Sequence, residues 1–257
     1  MTKVISVFNQ KGGVGKTTTV VNLSAALGKK GKRVLIVDID PQGNTTSGLG
    51  VDKRQLNSSI YDILINELSI ADILVETSST NVFLVPSNVE LAGAEVELIG
   101  LNNRETRLKN ALENIKDKYD YIFVDCPPSL GILSINALTA SDSVLIPIQC
   151  EYYALEGVSQ LMDTIKLVKK SLNKDLEVEG VVLSMFDGRT NLSIQVVDEV
   201  KRYFKGKVYG TIIPRNVRLA EAPSHGLSVM DYDPKSKGAE AYEELAEEFL
   251  EWSEEEF

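Results

Sequence analysis

Residues 11–18, Lys-Gly-Gly-Val-Gly-Lys-Thr-Thr, follow the apolar run Val4–Phe8 and precede a helix-like stretch over 17–30. A strand, a glycine-rich loop and a helix start, in that order, leave few folds open. Such a loop directs several backbone N–H groups at one point, and the helix N-terminus adds partial positive charge there. The spacing predicts a phosphate cradle over Lys11, Gly12, Gly13, Val14, Gly15, Lys16, Thr17 and Thr18. Lys16 is placed to reach the outer phosphates of a nucleoside triphosphate, and the Thr17 hydroxyl to ligate magnesium. The string departs from G-x-x-x-x-G-K-[ST]: Gln10 holds the first glycine position, and a second lysine stands at Lys11.

Short Val- and Ile-rich runs recur at Val4–Phe8, Val34–Val37, Val82–Val85, Tyr121–Val124, Ser143–Ile148, Val178–Leu183 and Val208–Ile212. Helical patterns over 17–30, 88–99, 104–117, 131–140, 154–172, 191–204 and 236–252 separate them. Apolar strands alternating with helices predict an α/β P-loop NTPase fold, a mostly parallel twisted sheet with helices on both faces. With 257 residues and 43% hydrophobic content, the whole of 1–257 is expected to form a single domain. Residues 57–59 and 77–81 read as surface connections. No apolar run approaches the roughly 20 residues that cross a bilayer, and the first strand begins almost at once. Cys126 and Cys150 have no metal-site spacing and are expected to be inert. A cytoplasmic protein is the expectation.

Two carboxylates, Asp38 and Asp40, end the second strand, where open α/β sheets place their ligands. Each can orient a water or hold magnesium through one, or simply cap the turn before Pro41. Asp125 ends the Tyr121–Val124 strand in the manner of a Walker B aspartate, which supports magnesium through water. Net charge is −10, but residues 243–257 alone carry eight glutamates and no base. Between Lys166 and Arg218 eleven Lys/Arg face six Asp/Glu. Local field decides polyanion binding, so nucleic acid stays open, as does an ordinary solvated helix face. Arg189 and Arg218 both read as loop residues suited to phosphate contacts or to solubility.

The strings K-G-G-V-G-K-T-T, D-x-D-P-Q-G-N, V-D-C-P-P-S-L-G and I-P-R-N-V-R-L-A-E-A-P-S-H-G occupy the chain from end to end. In them it resembles the Soj/ParA chromosome-partitioning ATPases of the ParA/MinD class with a deviant Walker A loop. The resemblance implies ATP and Mg2+ as cofactors and an ATP-dependent homodimer in which Lys11 reaches the partner's phosphates. It assigns Asp40 to positioning the attacking water, makes Lys11, Lys16 and Asp40 catalytic, and puts Thr17, Asp40 and Asp125 at the metal. It nominates Met185, Pro214 and Asn216 as contacts to the adenine. It matches Arg189 and Arg218 to positions that bind non-specific double-stranded DNA, and so implies nucleoid association. A ParB/Spo0J-like protein is the implied hydrolysis stimulator, and a replication initiator is a second target for some relatives.

Other members of the superfamily share these motifs. A MinD-like membrane ATPase would need a cationic anchoring helix, whereas the last helical stretch, with Tyr242, Leu245, Phe249 and Trp252 on one stripe, is acidic. No membrane partner is therefore expected. A small-molecule ligase or kinase would need a second substrate, and a scaffold without activity is at odds with intact Lys16, Thr17, Asp40 and Asp125.

Overall fold

The computed structural model describes residues 2–151 and 154–255. Among the described residues eight strands form one sheet: β1 Lys3–Val7, β2 Val34–Asp38, β3 Val75–Glu76, β4 Val82–Val85, β5 Tyr121–Asp125, β6 Ser143–Gln149, β7 Glu177–Phe186 and β8 Val208–Pro214. Their order is β3-β4-β2-β5-β1-β6-β7-β8, parallel throughout except for β3 against β4. The mostly parallel α/β architecture read from the sequence is the one observed.

Period-two geometry explains why the strands are apolar along their whole length. Val4, Leu35, Val37, Ile122, Val124, Val144 and Ile146 enter one core, and their neighbours Ile5, Val34, Ile36, Phe123 and Leu145 enter the other. Helices Lys16–Lys29 and Lys237–Glu255 cover the second face. The Ile60–Asn66, Leu91–Glu97, Ile132–Ala140 and Asn191–Phe204 helices, among others, cover the first. The connection out of β1 runs to β2 on one side, while that out of β6 runs to β7 on the other. The carboxyl ends of these two neighbours therefore border the crevice in which open sheets bind ligands.

The C-terminal helix docks by the stripe its spacing predicts: Tyr242, Leu245 and Phe249 are buried, and Trp252 stacks on Tyr209 at 4.2 Å. Its Glu248 carboxylate accepts from the backbone N–H groups of Gly210 (2.6 Å) and Thr211 (2.9 Å) on β8, the last strand of the sheet.

The structure corrects several boundaries. The expected helices over 88–99 and 104–117 contract to Leu91–Glu97, with a 3-10 turn at Leu98–Gly100, and to Arg107–Glu113. Short helices at Asn44–Gly48, Ile60–Asn66, Ile70–Ile73, Val217–Glu221 and Val229–Tyr232 were absent from the sequence reading. The one at Ile60 has a signal in Ser59 and Asp62, a reciprocal capping box. Residues 77–81 are not a plain surface connection either. They join β3 to β4, and Ser79 is buried with its hydroxyl donating to Asp231 at 2.6 Å.

Gly28 packs against this hairpin: a Cβ there would collide with the Thr80 carbonyl oxygen and lie 3.0 Å from Val82 Cγ2. Backbone cannot swing aside as a side chain can. Gly28→Ala is therefore expected to destabilise the fold by about 1–3 kcal/mol, read as a lower urea midpoint at unchanged slope.

Candidate nucleotide site

The phosphate loop is built by backbone conformations that glycine tolerates. Gly13 (φ 74°) and Gly15 (φ 91°) take the left-handed region, turning the chain from β1 into the Lys16–Lys29 helix. No side chain caps that helix, so its first N–H groups remain free to meet an anion. The loop is pinned from outside. Asn9 Oδ1 accepts from Lys11 N at 3.0 Å, Asn9 Nδ2 donates to Pro147 O at 2.8 Å, and the Ser184 hydroxyl donates to Val14 O at 2.8 Å. Asn9 and Ser184 were not singled out in the sequence; they lie outside the motif, and only the fold brings them to it. Gly12 has an ordinary φ, is exposed, and has open space where a Cβ would stand. Nothing among the described residues demands glycine at that position.

Lys16 is buried, and its ammonium donates to the Lys11 carbonyl at 3.1 Å. Burial pushes its pKa down, opposed chiefly by the Asp125 carboxylate. Asp125 and Asp38 stand side by side, in register at the ends of β5 and β2. Asp125 Oδ2 accepts from Thr17 Oγ1 (2.8 Å) and Thr45 Oγ1 (2.6 Å), while Oδ1 is buried without a hydrogen-bond partner. Asp38 accepts from Thr46 N (2.9 Å), Thr46 Oγ1 (2.7 Å) and Asp40 N (3.2 Å). Of the readings open for Asp38, the structure supports the turn cap: it ties down its own loop and is fully buried. Asp40 lines the cavity beside the loop, its Oδ1 accepting from Gln42 N at 2.9 Å. Cys126 is buried, and burial raises its thiol pKa, as an inert cysteine requires.

Two cavities adjoin here. One, of about 300 Å³, is bordered by Gly12, Gly13, Gly15, Lys16, Thr17, Thr18 and Asp40. The other, of about 210 Å³, is bordered by Met185, Pro214 and Asn216 together with Ile213, Leu219 and Tyr242. Gly15, Thr18 and Met185 belong to both. Six of the eight residues predicted for phosphate border the first cavity and all three predicted for the base border the second, whereas Val14 is buried and Lys11 borders neither. Met185 sits between the cavities with φ 53°, a conformation costly for a residue with a Cβ. Asn216 caps the Val217–Glu221 helix, its Oδ1 accepting from Arg218 N at 2.8 Å, so its amide N–H groups are left to meet a ligand.

Arg189 and Arg218 lie outside both cavities, beyond the ends of the adjacent strands β7 and β8. Arg189, 88% exposed, is in the expected loop and pairs with Asp187 at 2.6 Å, pulling that carboxylate down to about 2. Arg218 is not in a loop: it lies in the first turn of the Val217–Glu221 helix and pairs with Glu221 (2.7 Å) and Asp233 (3.1 Å). Asn216 is the signal for that helix, an N-cap residue two positions earlier. Exposed pairs of this kind hold weakly, so both guanidinium groups can exchange partners.

Comparison with known proteins adds the following. A protein family described as AAA domain matches residues 2–178. The sporulation initiation inhibitor protein Soj of Bacillus subtilis is 62% identical over 96% of this chain and 98% of its own length. The chromosome partitioning protein ParA of Myxococcus xanthus is 54% identical over 96% of this chain and 88% of its own. Among solved structures, cobyrinic acid a,c-diamide synthase from Mycobacterium smegmatis with bound ADP and magnesium superposes with a TM-score of 0.88 at 40% identity, covering 100% of this chain and 97% of that one.

The paired aspartates make stability depend on pH. Burial raises both carboxyl pKa values, and for Asp38 the neighbouring Asp125 charge raises it further. Between the ordinary carboxylate range and these raised values the folded chain binds more protons than the unfolded one. Stability of the nucleotide-free protein therefore falls as pH rises through that window. Asp38→Asn removes one titration and should flatten the fall. Urea midpoints measured from about pH 5 to about 8 test this; equal slopes for both proteins would contradict it.

Proposed function

Because the chain belongs to the Soj/ParA family of chromosome-partitioning ATPases, we propose that it is an ATP-driven switch, monomeric without ATP and a face-to-face dimer with it, holding non-specific double-stranded DNA only as the dimer. The observation that carries this reading is the continuity of the site: the glycine loop, Lys16, Thr17 and Asp40 border one cavity, which opens into the clamp of Met185, Pro214 and Asn216. Residues 1–257 act as one ATPase domain. Purine packs on Met185 and Pro214, with the Asn216 amide at its edge. The loop N–H groups and Lys16 take the phosphates.

The residues present fit a magnesium ion. Asp125 offers a buried oxygen with no internal partner, beside a threonine hydroxyl at the loop's end. Among the described residues no three His, Cys, Asp or Glu side chains cluster closely enough to cage a metal. An ion that shares phosphate oxygens and keeps its waters suits such a site. Thr17 and Asp125 would hold it, with Asp40 nearby, and it would supply charge neutralisation at the outer phosphates. Asp40 accepts the proton side of the attacking water, and Lys11 serves the partner's phosphates across the dimer. An exposed Gly12 whose conformation is ordinary supports that close approach. Pairing two chains duplicates Arg189 and Arg218 and turns weak contacts into a bivalent one. A ParB/Spo0J-like partner stimulates hydrolysis, and a replication initiator is a second target.

The likeness to the cobyrinic acid a,c-diamide synthase favours a second reading, ATP-dependent amidation of a small acid. Turnover that rises with DNA and not with a corrinoid acid separates the two. A membrane role finds less support. The apolar side of the Lys237–Glu255 helix is spent on the core, and among the described residues no helix is long and apolar enough to cross a bilayer.

Co-sedimentation with DNA in ADP, ATP and a non-hydrolysable analogue tests nucleotide, DNA and switching together. Lys16→Ala is expected to abolish hydrolysis and to weaken nucleotide binding strongly, since the outer phosphates lose their buried cation. Asp40→Ala should still bind ATP and accumulate as a dimer in size-exclusion chromatography, because it lacks only the water's acceptor. An Asp40→Ala variant that stays monomeric in ATP would assign Asp40 to assembly instead.

DNA binding should be indifferent to sequence and weakened by salt, with a log–log slope near −0.9 for each phosphate contact. Arg189→Glu or Arg218→Glu should abolish it and leave ATP-driven dimerisation intact. Fluorescence anisotropy on two unrelated duplexes across salt measures both, and unchanged affinity in both variants would remove the DNA reading.

A further inference from the structure

Thr45 lies just beyond the D-x-D-P-Q-G-N string, yet its side chain reaches the strand-end aspartate of β5 directly. It is the second residue of the short Asn44–Gly48 helix, immediately beyond the Asp40–Gly43 turn, and it is fully buried. Its hydroxyl donates to Asp125 Oδ2 at 2.6 Å, the same oxygen that accepts from Thr17 Oγ1 at 2.8 Å. Both hydroxyls fall on one carboxylate oxygen, and the other, Oδ1, is left bare.

The terminal torsion of an aspartate is broad and soft, so the direction of one oxygen is fixed only by what holds the other. Thr17 can ligate a metal through its oxygen and still donate its proton to Oδ2, but one hydroxyl leaves the carboxylate free to pivot about that bond, and a second donor fixes it. Thr45 carries no second duty: its carbonyl belongs to the helix, accepting from Leu49 N, and among the described residues its hydroxyl has Asp125 as its one partner. The next residue, Thr46, makes the equivalent bond to Asp38 Oδ2 at 2.7 Å and accepts from Ser87 N at 2.9 Å. The Ser87 hydroxyl in turn donates to the Asp40 carbonyl at 2.8 Å. The turn bearing Asp40 is thereby fastened to the two strand-end aspartates through consecutive threonines.

We propose that Thr45 is a positioning residue for the metal: its hydroxyl orients Asp125 so that the bare oxygen serves a magnesium ion, and it joins the Asp40 turn to that ion. The proposal rests on the nucleotide reading given above. Losing an outer-shell hydrogen bond of this kind weakens metal binding by about 10–100-fold.

The test is magnesium titration of a fluorescent ADP analogue bound to the full chain, with a parallel measurement in EDTA. In Thr45→Val, which keeps the shape and loses the donor, the magnesium concentration for half-maximal effect should rise about tenfold or more. Affinity in EDTA should stay unchanged, and Thr45→Ser should restore the wild-type midpoint. Should Thr45→Val fail to fold, Thr45→Ala, which puts no γ-methyl against the carboxylate, takes its role. An unshifted midpoint in the folded variant overturns the proposal, as does an equal loss in EDTA, which would mark a purely structural threonine. A wild-type chain whose nucleotide binding ignores magnesium would instead remove the functional reading on which the proposal stands.

Discussion

Two carboxylates, Asp38 and Asp125, stand in register at the ends of adjacent parallel strands, where a sheet covered on both faces admits almost no water. Buried charge is tolerated only with compensation, and the surrounding architecture supplies it. Thr17 approaches from the phosphate-loop helix, Thr45 and Thr46 from the Asp40 turn, and the Lys16 ammonium lies close enough to favour the charged form of Asp125. Glycine loop, turn and strand end thus converge on one electrostatic problem. The compensation is incomplete at a single atom, Asp125 Oδ1, and that atom lies beside the hydroxyl the sequence motif already associates with metal.

The parts of this arrangement that were legible in the sequence are those held by local chemistry. Glycine at 13 and 15 follows from backbone conformation, and seven strands follow from unbroken Val/Ile runs that only a sheet covered on both sides can hide. Lys16, Thr17, Asp40 and Asp125 each follow strand or loop signals at short range. Met185, Pro214 and Asn216 came from family resemblance, and the fold lines one cavity with all of them.

What was not legible depends on distant partners. A strand of two residues, Val75–Glu76, has too little sequence to show a period, and β4 defines it through pairing. Thr45 looks like one more polar residue after a turn until β5 brings Asp125 within 2.6 Å of its hydroxyl. The two aspartates of the D-x-D string look alike in sequence. An extended chain would put both on one side; they part company because β2 ends at Asp38 and Asp40 opens the turn beyond it, so that Asp38 meets Thr46 while Asp40 meets the open cavity. Arg218 reads as a loop residue in the sequence for a simpler reason. A helix of five residues carries no amphipathic period, and only its cap, Asn216, announces it.

Glu248 carries a consequence for how the chain can be handled. Its two carboxylate oxygens occupy consecutive N–H groups on the outermost long strand, so the terminal helix acts as a substitute neighbour for β8. An unpaired strand border recruits other chains. The acidic end of the sequence is thereby more than a solubilising tail: it is a clasp that closes the sheet on that flank. Chains trimmed before residue 248, or fusions that pry the helix away, would leave a ready template for run-on pairing, whereas attachments elsewhere on the surface leave the clasp shut.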